Sequence, residues 1–162
     1  MNIRPASTQD FDAILALNTE LVHFLSPLDQ NSLLHLHKQS ALHTLIELEG
    51  QVVAFILALR EGADYNSPNY HWFSSQYKQF LYIDRIVVSP HYQGRGLGRM
   101  LYKYVFTFAK QNTVPVITCE YDIEPPNPIS QQFHAQLGFS EVGRQQVAGG
   151  KKWVSLQAAS TL

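Results

Sequence analysis

The chain has 162 residues, 45% of them hydrophobic, which is enough for one well-buried core and short for two. Its formal net charge of -1 excludes the broad positive field that a nucleic-acid surface needs, and a single cysteine, Cys119, excludes an internal disulfide. The start MNIRPASTQDFD lacks the basic and apolar stretches of a signal peptide, and no apolar run is long enough to cross a bilayer, so a cytoplasmic protein with neither nucleic acid nor membrane as partner is expected.

MNIRPA reads as a short strand, and Thr8 as the cap of a helix from Gln9 whose apolar face carries Phe11, Ile14, Leu15, Leu17, Leu21 and Val22. LDQNSLLHLHKQS reads as a second, shorter helix. ALHTLIEL, Glu49-Gly50 and QVVAFILALR place β-branched and apolar residues on both sides of a turn dipeptide, the pattern of an antiparallel hairpin. Residues Glu61 to Lys78 show no periodicity and hold Tyr65, Tyr70, His71, Trp72, Phe73 and Tyr77, which predicts a long aromatic loop. FLYIDRIVVS follows as a continuous apolar strand, central in its sheet and broken only by Asp84 and Arg85.

Next, SPHYQGRGLGRML sets Gly94, Gly96 and Gly98 on alternate positions with Arg95 and Arg99 among them. Leu97, Met100, Leu101, Tyr104, Val105 and Phe108 then recur at helical spacing. PVITCEYDI is the following strand, and a strand, loop, helix, strand unit predicts a right-handed parallel pair. Asn127 caps a further helix with Pro128 at its first position, and Gly138 ends it in the left-handed conformation. Gly149-Gly150 between two strand-like runs predicts a closing hairpin. The organisation is one mixed α/β domain over residues 1–162.

Glycine lets backbone N–H groups approach a ligand closely, and a helix that starts at such a loop presents unpaired donors and the positive end of its dipole, a site for phosphate. A nucleoside-triphosphate loop needs a lysine and a hydroxyl after its last glycine, and neither follows here. A dinucleotide loop needs a third glycine where Arg99 stands, although Glu120 or Asp122 lies about where a ribose-binding acid belongs. The remaining pattern, Q/R-x-x-G-x-G/A, is met by Gln93, Gly94, Arg95, Gly96, Leu97 and Gly98.

With that loop, the lead-in IVVSP, and N-x-x-S-x-x-F-H-x-x-x-G-F from Asn127 to Phe139, the sequence resembles the GNAT superfamily of N-acetyltransferases. The resemblance implies a mostly antiparallel mixed sheet with a central parallel pair, flanked by helices, and acetyl-CoA as cosubstrate. It also implies that backbone groups of Val87 and Val88 pair with the pantetheine arm, that residues Gln93 to Gly98 hold the pyrophosphate with Arg95 and Arg99 adding charge-assisted bonds, and that Asn127 and Ser130 lie along the cofactor.

Acetyl transfer needs a neutral amine, a polarised thioester and a proton for the leaving thiolate. Asp84 stands where some members of the family carry an acid that deprotonates the acceptor; the alternative is a structural hydrogen bond. His134 replaces a tyrosine that in many members protonates the sulfur; an imidazole oriented by Ser130 offers a proton too, or else it only packs beside Phe133 or contacts the cofactor. Cys119 with His134 suggests a thiol nucleophile, against the commoner buried cysteine. His35 and His37 diverge on a helix, and no cluster completes a metal site, so no metal is expected.

Tyr70, Trp72 and Tyr77, with Tyr82 on the strand, form a candidate wall for the amine acceptor; equally they cover a sheet edge or make a homodimer contact. The expected activity is acetyl transfer from acetyl-CoA to a small or amino-acid-like primary amine by direct attack. A protein amine as acceptor, and a module that binds acyl-CoA without turnover, are the alternatives.

Overall fold

The computed structural model describes residues 1–21 and 25–162. Its seven strands form a mixed, mostly antiparallel sheet in the order β1-β2-β3-β4-β5-β7-β6, with β4 and β5 parallel and five α-helices among the described residues. The chain divides into two compact units, residues 1–59 with 83–107 and residues 60–82 with 108–162.

In the first unit, β1 (Asn2–Pro5) pairs antiparallel with β2 (Leu42–Leu48), and β2 with β3 (Gln51–Arg60). Glu49 and Gly50 hold φ of 51° and 78°, as a two-residue turn requires to follow the strand twist. The helix α1 (Phe11–Glu20) is preceded by a 3₁₀ turn over Thr8–Asp10, and the cap is Ser7, not Thr8. Asp10 decides this: its carboxylate accepts the Ser7 N–H at 2.8 Å and is clamped by both Arg4 Nη atoms at 2.9 and 2.8 Å. Phe11, Ile14 and Leu17 bury the expected face, joined by Asn18; Val22 lies outside the described residues. The second helix, α2 (Gln30–Gln39), starts at an Asp29 cap.

The strand β4 (Leu81–Val88) leads through a 3₁₀ turn at Pro90–Tyr92 to the glycines and then to α4 (Leu97–Gln111). The buried residues of α4 are Leu97, Leu101, Tyr102, Val105 and Ala109, while Tyr104 is 38% exposed. The apolar stripe is therefore rotated from the expected one, because the i, i+4 ridge from Leu97 packs and Tyr102 fills the space beside it.

In the second unit, Leu81 and Tyr82 pair in parallel with Ile117 and Thr118 of β5 (Val116–Glu124). The closing hairpin of β6 (Ser140–Val147) and β7 (Lys152–Ser160) places β7 antiparallel to β5 along its whole length. The helix α5 (Pro128–Gln136) has its Asn127 cap and its left-handed Gly138, φ 94°, as expected.

The aromatic segment is not a loop throughout: α3 (Pro68–Gln76) starts at a Ser67 cap with Pro68 first. Its buried residues are Asn69, Tyr70 and Phe73, a mixture of amide, phenol and ring that no hydropathy stripe reveals. Trp72 presses so close to β6 that a Cβ on Gly143 would lie 2.5 Å from its indole, and Asn69 accepts from Gln145 at 2.7 Å. Glycine is needed at position 143 for that approach.

Candidate functional site

Along β4 the side chains alternate as a pleated strand dictates, with Ile83, Arg85 and Val87 buried and Asp84, Ile86 and Val88 on the less covered side. The Ser89 N–H donates to Val53 O at 2.8 Å, fixing the end of β4 to β3 just before the glycine loop. Gly94 and Gly96 both have φ 78° with no atom within 4 Å of an added Cβ. The backbone path, and not crowding, requires glycine there. Successive residues of this kind turn their N–H groups into one concavity, and the N-terminal donors of α4 follow at once. Arg95 lies over the Tyr92 ring, 4.9 Å from its centroid, and Gln93 Nε2 is 3.5 Å from Val88 O. Gln93, Arg95 and Arg99 are exposed, so the loop presents two guanidinium groups beside its amides.

Asp84 makes the structural bond that was the alternative to a role as base. Its carboxylate accepts from Arg85 Nε at 2.7 Å, and the two side chains are 3% and 5% exposed. The expectation that the pair point apart holds for their Cβ directions only; the long arginine side chain returns to its neighbour. Arg85 Nη1 further donates to Asn18 Oδ1 at 2.9 Å and to Ser26 O at 3.2 Å, and Asn18 Nδ2 donates to the same carbonyl at 3.1 Å.

In the second unit, α5 buries His134 among Tyr121, Phe133 and Phe139, with ring centroids 5.9, 5.3 and 5.4 Å away. His134 Nδ1 lies 2.7 Å from Ser130 O and 3.2 Å from Ser130 Oγ. A carbonyl only accepts, so Nδ1 carries the hydrogen. Burial lowers the His134 pKa, partly offset by that bond, and the neutral ring then has its lone pair on Nε2. The bond to Ser130 O thus fixes the orientation of the ring.

Tyr121 shares one face of β5 with Cys119, and across the ladder Tyr121 opposes Ser155 while Cys119 opposes Gln157. Gln157 Nε2 donates to Tyr121 Oη at 3.1 Å and to Ser155 Oγ at 2.6 Å, and Ser155 Oγ donates to Glu141 Oε2 at 2.5 Å. On the opposite face, Tyr82 Oη donates to Glu120 Oε1 at 2.8 Å. Neither Glu120 as a base nor Tyr121 was singled out from the sequence. The visible clue is a run of polar residues, Thr118, Glu120 and Asp122, on alternate positions of an otherwise apolar strand.

The acceptor-wall residues separate. Tyr70 is 2% exposed, and its hydroxyl donates to Arg60 O at 2.6 Å and accepts from Ala63 N at 2.9 Å, so it braces the β3 exit. Its ring meets Tyr82 at 5.6 Å, and Phe73 meets Tyr82 at 5.8 Å. Trp72 covers Gly143. Tyr77 lines a cavity of about 420 Å³ together with Glu61, Ser74, Lys78 and Phe80. Cys119 is a buried free cysteine. Among the described residues no three His, Cys, Asp or Glu side chains gather as metal ligands, and no helix is long and apolar enough to cross a membrane.

The sequence model of the acetyltransferase (GNAT) family matches residues 10–139. No curated protein matches the chain. Among solved structures, it is similar to Ard1 from Thermoplasma volcanium, with TM-score 0.80 and 15% identity over 99% of this chain and 97% of that one. It is also similar to the ribosomal-protein-alanine N-acetyltransferase of Brucella melitensis, with TM-score 0.74 and 21% identity over 99% of each chain. A third is yncA, a putative acetyltransferase from Salmonella typhimurium solved with acetyl-CoA, with TM-score 0.75 and 19% identity over 100% and 94%.

Proposed function

The chain belongs to the acetyltransferase (GNAT) family, and on that premise we propose that it transfers an acetyl group from acetyl-CoA to a primary amine. One observation carries the donor: inside the matched region, Gly94 and Gly96 adopt the left-handed backbone directly before the N-terminus of a 15-residue helix. Such a concavity of amides, flanked by Arg95 and Arg99, suits a pyrophosphate. Gln93 to Arg99 would hold it, Val87 and Val88 would offer backbone pairing to the pantetheine arm, and Asn127 and Ser130 would contact the cofactor from α5. The bound acetyl-CoA of the Salmonella typhimurium structure supports the same donor.

Attack requires the amine as its free base, so a carboxylate takes its proton directly or through water. Asp84 on β4 and Glu120 on β5 are two candidates. Glu120 is the better supported: Tyr82 Oη holds one oxygen in place, whereas Asp84 is bonded to the Arg85 guanidinium. The neutral amine then attacks the thioester carbon, and the C–S bond breaks with its electron pair on sulfur.

A small or amino-acid-like amine is the first reading of the acceptor, with Tyr77 and Tyr82 as contacts. A protein amino terminus is the second, favoured by the likeness to a ribosomal-protein-alanine N-acetyltransferase. Calorimetric titration with acetyl-CoA, CoA, NAD and NADP tests the donor: 1:1 binding of the CoA species alone is expected, and failure of both to bind folded protein overturns the reading. A panel of small amines and peptides then tests the acceptor, and acetyl-CoA binding without turnover on any of them would leave a binding module.

A further inference from the structure

Two histidines join the C-terminal turn of α2 to β2. His37 Nδ1 and His43 Nδ1 lie 2.8 Å apart, and their rings belong to an edge-to-face series, Phe11 to His37 to His43 to Phe55, with centroids 5.2, 5.1 and 6.0 Å apart. The series runs from α1 through α2 and β2 to β3. His43 is 6% exposed, and its Nε2 has no hydrogen-bond partner among the described residues. For the rest, α2 buries Leu33 and Leu36, and Gln30 Nε2 donates to Asp12 Oδ1 of α1 at 2.8 Å in an exposed bond. A helix with so small a buried side depends on how its last turn is fastened.

Two imidazole nitrogens bond only when one carries a hydrogen and the other offers its lone pair. A neutral pair satisfies this with one Nδ1–H. A pair with one added proton satisfies it as well, because an imidazolium donates through Nδ1 to the neutral ring. A second added proton must occupy the accepting Nδ1, and then both nitrogens are donors and two cations face each other. Burial of His43 and the charge of His37 oppose that proton and lower the His43 pKa to about 4, against a smaller raising effect of Asp10. Asp10 is itself bound to Arg4 of β1, which also holds Glu47 of β2, while His35 and Lys38 of α2 and Asp12 and Glu20 of α1 are exposed. We propose that His37 and His43 are a proton-counting latch, closed with no or one added proton and opened by the second, through which acid releases the last turn of α2 from β2 while β3 stays folded. The latch is independent of the acetyltransferase reading. Once the turn is released, His43 reaches solvent and regains its ordinary affinity for a proton, so falling pH drives the opening.

The test is amide hydrogen exchange of the full chain at pH 7 and 4.5, corrected for the intrinsic rate at each pH, with ¹⁵N imidazole spectra of the same samples. At pH 7 the spectra should show one of the two Nδ1 atoms protonated and the other bare. Between pH 7 and 4.5 the amides of Leu36 to Gln39 should lose about 50-fold in protection, the ratio that a His43 pKa of 6.5 in the open form and about 4 in the closed form gives. Amides of Phe55 to Leu57 in β3 should stay at least tenfold better protected at pH 4.5. His37→Gln keeps a donor for His43 Nδ1 but carries no charge, so its loss of protection should be shallower, and His43→Phe should remove the pH dependence of α2. Both variants are first checked for a cooperative melting transition. Two protonated Nδ1 atoms at pH 7, equal protection of α2 and β3 at pH 4.5, or a wild-type fall in His37→Gln would overturn the proposal. The first two outcomes are read from wild type and need no variant to fold.

Discussion

Asp84 and Arg85 are neighbours on β4 and still form an ion pair, Nε to Oδ2 at 2.7 Å, with 3% and 5% of their side chains exposed. The pair ties β4 to Asn18 and to Ser26 O. Removing one member of a buried pair leaves the other charge desolvated. Arg85→Met should therefore destabilise by roughly 3–5 kcal/mol. Asp84→Asn combined with Arg85→Met should recover part of that loss. Chemical denaturation of the single and double variants measures both, and strictly additive effects would refute the coupling.

His43 predicts an acid limit to stability. Burial and the His37 ring, whose Nδ1 is 2.8 Å away, lower its pKa from 6.5 to about 4, against a smaller raising effect of Asp10. The folded state thus favours the neutral ring. Its contribution is present above pH 6.5 and is lost as pH falls from 6.5 to about 4, amounting to about 3 kcal/mol. Asp10 acts in a separate window: its pKa is lowered from 3.8 to about 2, chiefly by Arg4, so its contribution is lost only below pH 3.8. Denaturant midpoints between pH 7 and 4 should fall for wild type and stay flatter for His43→Phe; parallel curves would remove His43 as the cause.

Gly96 adopts φ 78° in open space, so Gly96→Ala meets no clash and suffers only from the left-handed backbone. The expected stability loss is about 1–2 kcal/mol. Because the loop amides are the proposed pyrophosphate cradle, acetyl-CoA should bind at least tenfold more weakly. Equal Kd values by calorimetry would place the cofactor elsewhere.

Glu120→Gln keeps the shape of the side chain and the acceptor for Tyr82 Oη but removes the basic oxygen. Turnover should fall about 100-fold with acetyl-CoA affinity unchanged. Tyr82→Phe should lower turnover more mildly, since the hydrogen bond that holds the Glu120 carboxylate in place is lost. Steady-state kinetics of both variants decides the matter: wild-type turnover in Glu120→Gln would return the role to Asp84.

Much of the fold was legible because its signals are local. Glu49-Gly50 needs two positive φ values, Asn127-Pro128 starts a helix, and Gly94 and Gly96 announce a loop that only glycine traces. Each of these acts through the backbone of the residue itself or its next few neighbours. The helix α3 escaped because its buried side comprises an amide, a phenol and a phenyl ring chosen by Arg60 O, Gln145 and Tyr82, partners that are distant in sequence.

By itself, the sequence determined the seven strands, the helices other than α3, the glycine loop and the family pattern, since spacing along one chain carries them. Tertiary structure alone decided which polar groups are committed and which remain available. It gave Asp84 to Arg85, placed the Nδ1 hydrogen of His134 on Ser130 O, and oriented Tyr121 through Gln157 and Ser155 from Glu141. Proton direction depends on the whole chain of donors and acceptors across three strands, and such pairings have no signature in residue order.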